Sequence, residues 1–390
     1  MHNPKSGEEG VASGGQPESS QGGRSSRLTS LDALRGFDMF WIVGASGLVY
    51  ALNQMADSGL TRFLLGQLEH KDWEGFAFYD LIFPLFVFIT GVSLVYSLTK
   101  SLAQESRIQV LLKVAKRAFL LYLLGLFYYG GFSDKIPDIR WVGVLQRIAF
   151  SYLVASTLFL FLKPKGLIVS CVAILLGYWG LLSFVPVPGG EAGNFEEGKN
   201  MVNYVDSAYL PGYKWDGDWD PEGLLSNVPA VATCLLGVFA GFLIRSSQYS
   251  DRKKVGLLIG GGGILVAVGF LWGAQFPVIK KIWTSSYVLV AGGYSAVLLG
   301  GFYYLIDVLK WKGWAAPFVW IGLNPITVYL VNSLVGFQRL AERLAGGKVK
   351  VFLNDQIAQG VGDLVVSLVG LALVFLFCRF LHRRKIYLRL

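Results

Sequence analysis

The sequence predicts an all-α, polytopic integral membrane bundle of about ten transmembrane helices, with both chain ends on the cytoplasmic side. Three observations carry that expectation. Of 390 residues, 53% are hydrophobic and 16% charged, and the mean hydropathy is +0.50, which is more apolar sequence than a soluble core of this length can hide. Apolar runs of about 20 residues, each long enough for a ~30 Å hydrocarbon layer, recur along nearly the whole chain. The basic residues collect in alternate connecting segments, and most acids fall in the others. No stretch is left for a separate soluble catalytic domain.

Taken in order, residues 1–26 are Gly, Ser, Glu and Gln with almost nothing apolar, a composition that predicts a disordered cytoplasmic tail. Residues 27–390 then form one transmembrane domain. Arg24 and Arg27 precede the first apolar run, 36–55. That run is too long for a signal peptide and is followed by no small-residue cleavage pattern, so it reads as a retained helix. The later spans fall at 77–98, 109–130, 142–162, 167–186, 225–245, 255–274, 284–308, 315–335 and 361–381. Inner segments hold Lys100, Lys113, Lys116, Arg117, Lys253, Lys254 and a C-terminal basic cluster, while Glu196, Glu197, Asp206, Asp216, Asp220 and Glu222 lie in outer ones. The net charge of +9 is therefore a topology signal, and nucleic acid is not an expected partner. Cys171, Cys234 and Cys378 sit inside apolar runs with no metal or redox spacing, and read as packing residues.

Two outer loops carry the polar surface. One, at 56–76, contains His70. The other, 187–224, includes NYVDSAYLPGYKWDGDWDPEG, where rings beside acids and amides suit a carbohydrate. An interfacial aromatic belt with a solvated loop would give the same composition.

Of three histidines, His2 lies in the tail and His382 in an inner HRRK cluster, where it suits a headgroup anchor. His70 alone is placed for proton chemistry near neutral pH. Glu69, Asp72, Glu74 and Asp80 are near in sequence, and any of them can orient its ring. Charges inside spans are costly and tend to be functional. Asp32, Arg35 and Asp38 lie at the inner start of the first span, Asp80 at the outer start of the second, and Gln146 and Arg147 within the fourth. Arg147 suits either an internal salt bridge or an anionic ligand. Asn324, in WIGLNPITVYL, is an amide beside a proline that breaks the helix ladder, where it caps freed backbone groups or lines a cavity. The glycines at 260–263 lie mid-span with no strand before them and no Gly-Lys-Ser after, so they read as helix packing, as does the Gly237–Gly241 pair. No metal site is expected.

Residues 27–40 (RLTSLDALRGFDMF), 70–94 (HKDWEGFAFYDLIFPLFVFITGVSL), 142–156 (VGVLQRIAFSYLVAS), 220–241 (DPEGLLSNVPAVATCLLGVFAG) and 317–330 (PFVWIGLNPITVYL) together resemble the transmembrane core of the heparan-α-glucosaminide N-acetyltransferase family, including its bacterial relatives. The resemblance implies transfer of acetyl from cytoplasmic acetyl-CoA to the amino group of a glucosamine-type sugar across the membrane. The family's catalytic histidine precedes a W-x-G and a D-L-x-F-P segment, which puts His70 before Trp73, Gly75 and Asp80-Leu81-Ile82-Phe83-Pro84. Two departures bear on the acceptor. Gly44 stands where animal members carry an Asn, and Arg140-Trp141-Val142-Gly143-Val144-Leu145-Gln146-Arg147 lacks the proline of the usual R-I-P-G-V-L-Q-R. The large luminal domain preceding the first core span in animal members is also expected to be missing.

On this reading His70 and Asp80 are catalytic. Arg35, Asp32, Gln146, Arg147 and Asn324 contact donor or acceptor, with Lys113, Lys116 or Arg117 available to the CoA phosphates. His70 serves as general base toward the amine or as transient acetyl carrier. The expected partners are the lipid bilayer, acetyl-CoA and the amino sugar, with room for a homodimer, in a bacterial inner membrane. An O-acyltransferase acting on a surface glycan, or a secondary transporter of a small sugar or anion, is the alternative; a transporter would predict paired half-chains, and no such repeat is visible.

Overall fold

The computed structural model describes residues 28–133 and 135–387; the tail 1–26 lies outside them. Among the described residues there are sixteen α-helices and no strand. Seven helices are long and apolar enough to cross a membrane, and eight if one sharply bent pair counts as a single span. The expected spans at 36–55 and 109–130 lack that support, for different reasons. The first run divides into α1 (Thr29–Phe40), a π-helical turn over Trp41–Ala45, and α2 (Ser46–Met55). Gly44 in that turn has φ +123°, a backbone conformation that side chains with a Cβ resist. The second run forms a continuous helix, α5 (Arg107–Tyr128), but Lys113, Lys116 and Arg117 put three charges in its first half, which is costly in a hydrocarbon layer except near its edge.

Helix α3 (Gly59–Leu68) leads into the His70 loop, and α4 (Phe78–Leu102) follows it. After α5 come α6 (Val144–Phe161) and α7 (Pro164–Phe184), then the short loop helix α8 (Met201–Tyr209) and α9 (Asn227–Arg245). Helices α10 (Asp251–Gly273) and α11 (Ser285–Phe302) form a close pair. In lipid there is no hydrophobic force between helices, so close contact requires small residues. At the centre, a Cβ on Gly91 of α4 would sit 1.9 Å from the Cys234 carbonyl oxygen of α9, and one on Gly237 would sit 1.9 Å from that of Phe88. Those two backbones touch. Of the glycine run, Gly262 faces α11 at Gly293, whereas Gly260, Gly261 and Gly263 face open space. All three cysteines are free and buried.

The last elements are α12 (Ala316–Gly322), α13 (Pro325–Val335), α14 (Phe337–Ala345), α15 (Lys348–Gln356) and α16 (Val361–Arg383). Helices α12 and α13 are the bent pair, at 82°. Pro325 has no N–H to continue the ladder, and Asn324 Nδ2 donates to the Ile386 carbonyl at 3.0 Å.

Helix α11 links the two ends of the bundle. At its start Tyr287 Oη donates to the Asp80 carbonyl at 2.7 Å. Past its far end Asp307 accepts from Ser30 N at 3.1 Å.

Candidate active site

The loop after α3 is pinned rather than free. Glu74 pairs with Ile279, Gly75 N donates to the Val278 carbonyl at 2.9 Å, and Trp73 Nε1 donates to the Phe195 carbonyl at 2.8 Å. The first two dock the His70 loop onto the α10–α11 connection, which carries Lys280, and the third ties it to the segment between α7 and α8. Asp80, in the first turn of α4, has Oδ2 taken by two backbone donors, Ala77 N at 3.0 Å and Lys71 N at 3.3 Å. The carboxylate thus caps its own helix and clamps the preceding loop.

Its other oxygen meets the histidine. His70 Nδ1 lies 2.8 Å from Asp80 Oδ1, with the His70 side chain 51% exposed and that of Asp80 1%. An ionised carboxylate only accepts, so Nδ1 carries the proton and Nε2 keeps a free lone pair. Lys280 Nζ stands 3.3 Å from the same Asp80 oxygen, 2.8 Å from His70 Nδ1 and 3.3 Å from Nε2; with Nδ1 protonated, only the Asp80 oxygen and Nε2 can accept from the ammonium. Burial pushes the Lys280 ammonium below the ordinary lysine range, and Asp80 pulls it back. The Tyr79 ring, centred 4.8 Å away, packs on the imidazole.

Two cavities meet here. An apolar one of about 240 Å³ is walled by Met39, Ile42, Phe86, Ile148, Ile326 and Tyr329, drawn from α1, the π turn, α4, α6 and α13. A wider one of about 360 Å³ is walled by Tyr128, Tyr129, Arg140, Arg147, Trp215 and Trp283. His70, Glu222 and Lys280 line both.

The wall of the second cavity is held by charge. Arg140 forms a two-pronged pair with Asp220 (2.8 and 2.7 Å), reaches Glu222 Oε2 at 2.7 Å, and stacks on Tyr129 and Trp215. Arg147 is buried and donates to Asn227 Oδ1 at 3.2 Å, to the Pro221 carbonyl at 2.7 Å and to the Ser226 hydroxyl, with its guanidinium 4.4 Å from the Trp283 ring centre. Both arginines therefore fasten the 220–227 turn, which places Glu222 opposite His70.

Residues 27–187 match the family model described as heparan-alpha-glucosaminide N-acetyltransferase, catalytic. The human protein named heparan-alpha-glucosaminide N-acetyltransferase is 29% identical over 382 residues, covering 82% of this chain and 55% of that protein. The mouse protein of that name is 28% identical over 371 residues, covering 79% and 54%. This chain is similar to those proteins over most of its length. It spans about half the length of the curated relatives it matches. Of the residues around His70, the matched region holds Asp80, Arg140 and Arg147, whereas Glu222 and Lys280 lie beyond it.

The remaining residues singled out in sequence are dispersed. Asp32 and Arg35 pair at 3.1 Å, and Arg35 also reaches the Ser93 hydroxyl. Ser93 is thirteen residues along α4 from Asp80, about 20 Å at 1.5 Å per residue. This pair belongs to the opposite end. There Arg117 stacks on Tyr152 and Lys113 pairs with Glu105. Gln146 is buried beside Gly125 of α5, lines neither cavity, and has no hydrogen-bond partner among the described residues. Asn324 secures the α12–α13 break rather than the His70 end. Gly44 lines neither cavity, and its nearest outside neighbour is Gln338. Sequence reasoning missed Lys280 and Glu222 as site residues. The available signal was the Lys280–Lys281 pair on the side where basic residues are otherwise sparse.

Proposed function

We propose that the chain is a membrane acetyltransferase that moves acetyl from cytoplasmic acetyl-CoA to the amino group of a glucosamine-type sugar on the outer face of a bacterial inner membrane. The observation that carries the reading is the His70–Asp80 pair at the junction of an apolar and an aromatic, polar cavity. The names of the human and mouse relatives supply the acceptor class. In this reading ten spans hold both termini inside, and the domain runs from 27 to 390 after a cytoplasmic tail. The apolar cavity takes the end of the pantetheine arm. Arg35, with Lys116 or Arg117 at the far end, meets the CoA phosphates. Sugar faces stack on Trp215 and Tyr129 while Glu222 and Asp216 accept from the hydroxyl and amino groups.

The neutral His70 Nε2 lone pair either removes the proton of the acceptor ammonium or attacks the thioester itself. Asp80 fixes the tautomer and steadies the imidazolium that follows. The test uses proteoliposomes loaded with labelled acetyl-CoA and supplied externally with glucosamine or N-acetylglucosamine. Labelled product is expected from glucosamine alone, with His70→Ala reducing the rate by ~100-fold or more. Unchanged transfer by His70→Ala would refute the role of His70. Equal labelling of both sugars would move the reaction to a hydroxyl.

A further inference from the structure

We propose that Lys280 is the oxyanion donor of this site: its ammonium hydrogen-bonds the thioester carbonyl oxygen as the carbonyl carbon becomes tetrahedral. The assignment rests on the acetyl-transfer reading above and adds to it a residue from the opposite half of the chain. Acyl transfer by either route passes through a tetrahedral centre whose oxygen gains negative charge, and a preorganised donor there accounts for much of the rate enhancement.

Several other cations surround the junction, Lys71 included, and the arginines and Lys281 give most of their donors to other partners. Arg140 is held by Asp220 and Glu222, Arg147 by Pro221, Ser226 and Asn227, and Lys281 by Asp216 at 3.0 Å and Glu197 at 3.4 Å. Among the described residues, Lys280 is the one cation within hydrogen-bond distance of the His70 ring, 3.3 Å from the reactive Nε2. Nζ is also 2.8 Å from Nδ1, so the flexible lysine chain turns outward from the ring to meet an oxygen on a carbon that Nε2 attacks. Lys280 also lines both cavities, so it faces the carbonyl from whichever side the thioester enters. Asp80 Oδ1, 3.3 Å from Nζ, aims the ammonium from behind.

The step balances. His70 Nε2, or the amine it has deprotonated, donates an electron pair to the carbonyl carbon, and the C=O π pair moves onto oxygen. One Nζ–H of Lys280 hydrogen-bonds that oxygen and keeps its proton. Collapse re-forms C=O, breaks C–S and releases CoA as the thiolate, which on the amine route takes the remaining proton of the attacking nitrogen. On the carrier route the acceptor amine then adds to the acetyl-imidazolium, the C–Nε2 bond breaks with its pair returning to Nε2, and the amine's proton passes to the thiolate.

The test measures binding to the purified full-length protein, so it does not depend on turnover. Two stable ligands are compared: S-ethyl-CoA, which is neutral at the reacting position, and S-carboxymethyl-CoA, which carries an anion there. Wild type is expected to bind the carboxymethyl compound about tenfold or more tightly. Lys280→Met is expected to lose that preference while holding S-ethyl-CoA within about threefold of wild type, and Lys280→Arg to keep it. In the acetyl-transfer assay, Lys280→Met is expected to lower kcat by ~10²–10³ with little change in KM. A preference that survives in Lys280→Met, or is absent from wild type, overturns the assignment while leaving CoA binding intact. Equal loss of both ligands in Lys280→Met makes the residue structural and overturns it as well. Binding of neither ligand by wild type removes the CoA reading, and the Lys280 role falls with it.

Discussion

Replacing Asp80 by Asn separates the two tasks of that carboxylate. Oδ2 accepts from Ala77 N and Lys71 N, and Oδ1 meets His70 Nδ1 at 2.8 Å. An Asn that keeps both backbone bonds must put its carbonyl oxygen in the Oδ2 position and its NH₂ toward the ring. An NH₂ cannot accept, so the imidazole moves its proton to Nε2 and loses the lone pair facing the cavities. The fold should tolerate this, because the helix cap survives and the two charge pairs lost, with half-exposed His70 and with Lys280 at 3.3 Å, cost about 1–3 kcal/mol. Catalysis should not. A wrong-tautomer histidine in a serine-protease triad costs about 10⁴ in kcat, so a loss of ~10³–10⁴, roughly 4–5.5 kcal/mol of barrier, is expected here. Acetyl transfer to glucosamine measures kcat, and ¹⁵N spectra of histidine-labelled protein report the tautomer. A kcat within about threefold of wild type, or an unchanged His70 tautomer, would refute the reasoning.

Two further predictions concern the frame around the site. Gly237→Ala puts a methyl 1.9 Å from the Phe88 carbonyl oxygen and must push α4 from α9, costing about 1–3 kcal/mol; Gly260→Ala, with nothing within 4 Å, should be neutral or gain up to about 1 kcal/mol. Thermal unfolding followed by labelling of the three buried cysteines reads both, and equal midpoints would discredit the packing account. Burial raises Asp206, in α8 of the loop between α7 and α9, from the ordinary 3.8 to about 6. Between those values the folded protein holds a proton that the unfolded chain has released, so stability falls as pH rises from about 4 to 6 and then levels. The change is up to about 3 kcal/mol. Asp206→Asn should flatten that slope in unfolding midpoints taken across the range, and a persisting slope would assign it to another group.

The helical class and the pairing of His70 with a nearby carboxylate are legible in sequence because each depends on local pattern. Apolar runs report on the hydrocarbon layer wherever they occur, and His70 lies only ten residues from the carboxylate that orients it. What the pattern could not supply is facing and distance. Gln146 and Arg147 are neighbours on α6 and read alike as buried polar residues. One turns toward Gly125 and the other toward the 220–227 turn, a choice set by packing with helices remote in sequence. Lys280 is 210 residues from His70, and only the docking of the His70 loop on Val278 and Ile279 brings them together. The first apolar run looks continuous because hydropathy does not register the backbone turn at Gly44.

The break between α12 and α13 can be understood from the cavity it lines. A proline and a bend of 82° leave backbone groups without ladder partners, which is tolerated at membrane depth where protein rather than lipid surrounds them. Asn324 supplies part of that surrounding, and the turned helix presents Ile326 and Tyr329 to the apolar cavity. Tyr329 in turn stacks on Tyr128 with ring centres 4.4 Å apart. Tyr128 lines the polar cavity and Tyr329 the apolar one, so the stacked pair forms part of the wall between them. In the proposed reaction this wall has a consequence for water. A thioester arm in the apolar cavity is screened from the outer solution except where His70, Glu222 and Lys280 face both spaces. An amine seated there closes that opening, so hydrolysis reaches the thioester only while the polar cavity is empty, which is the condition under which an acetyl donor is wasted.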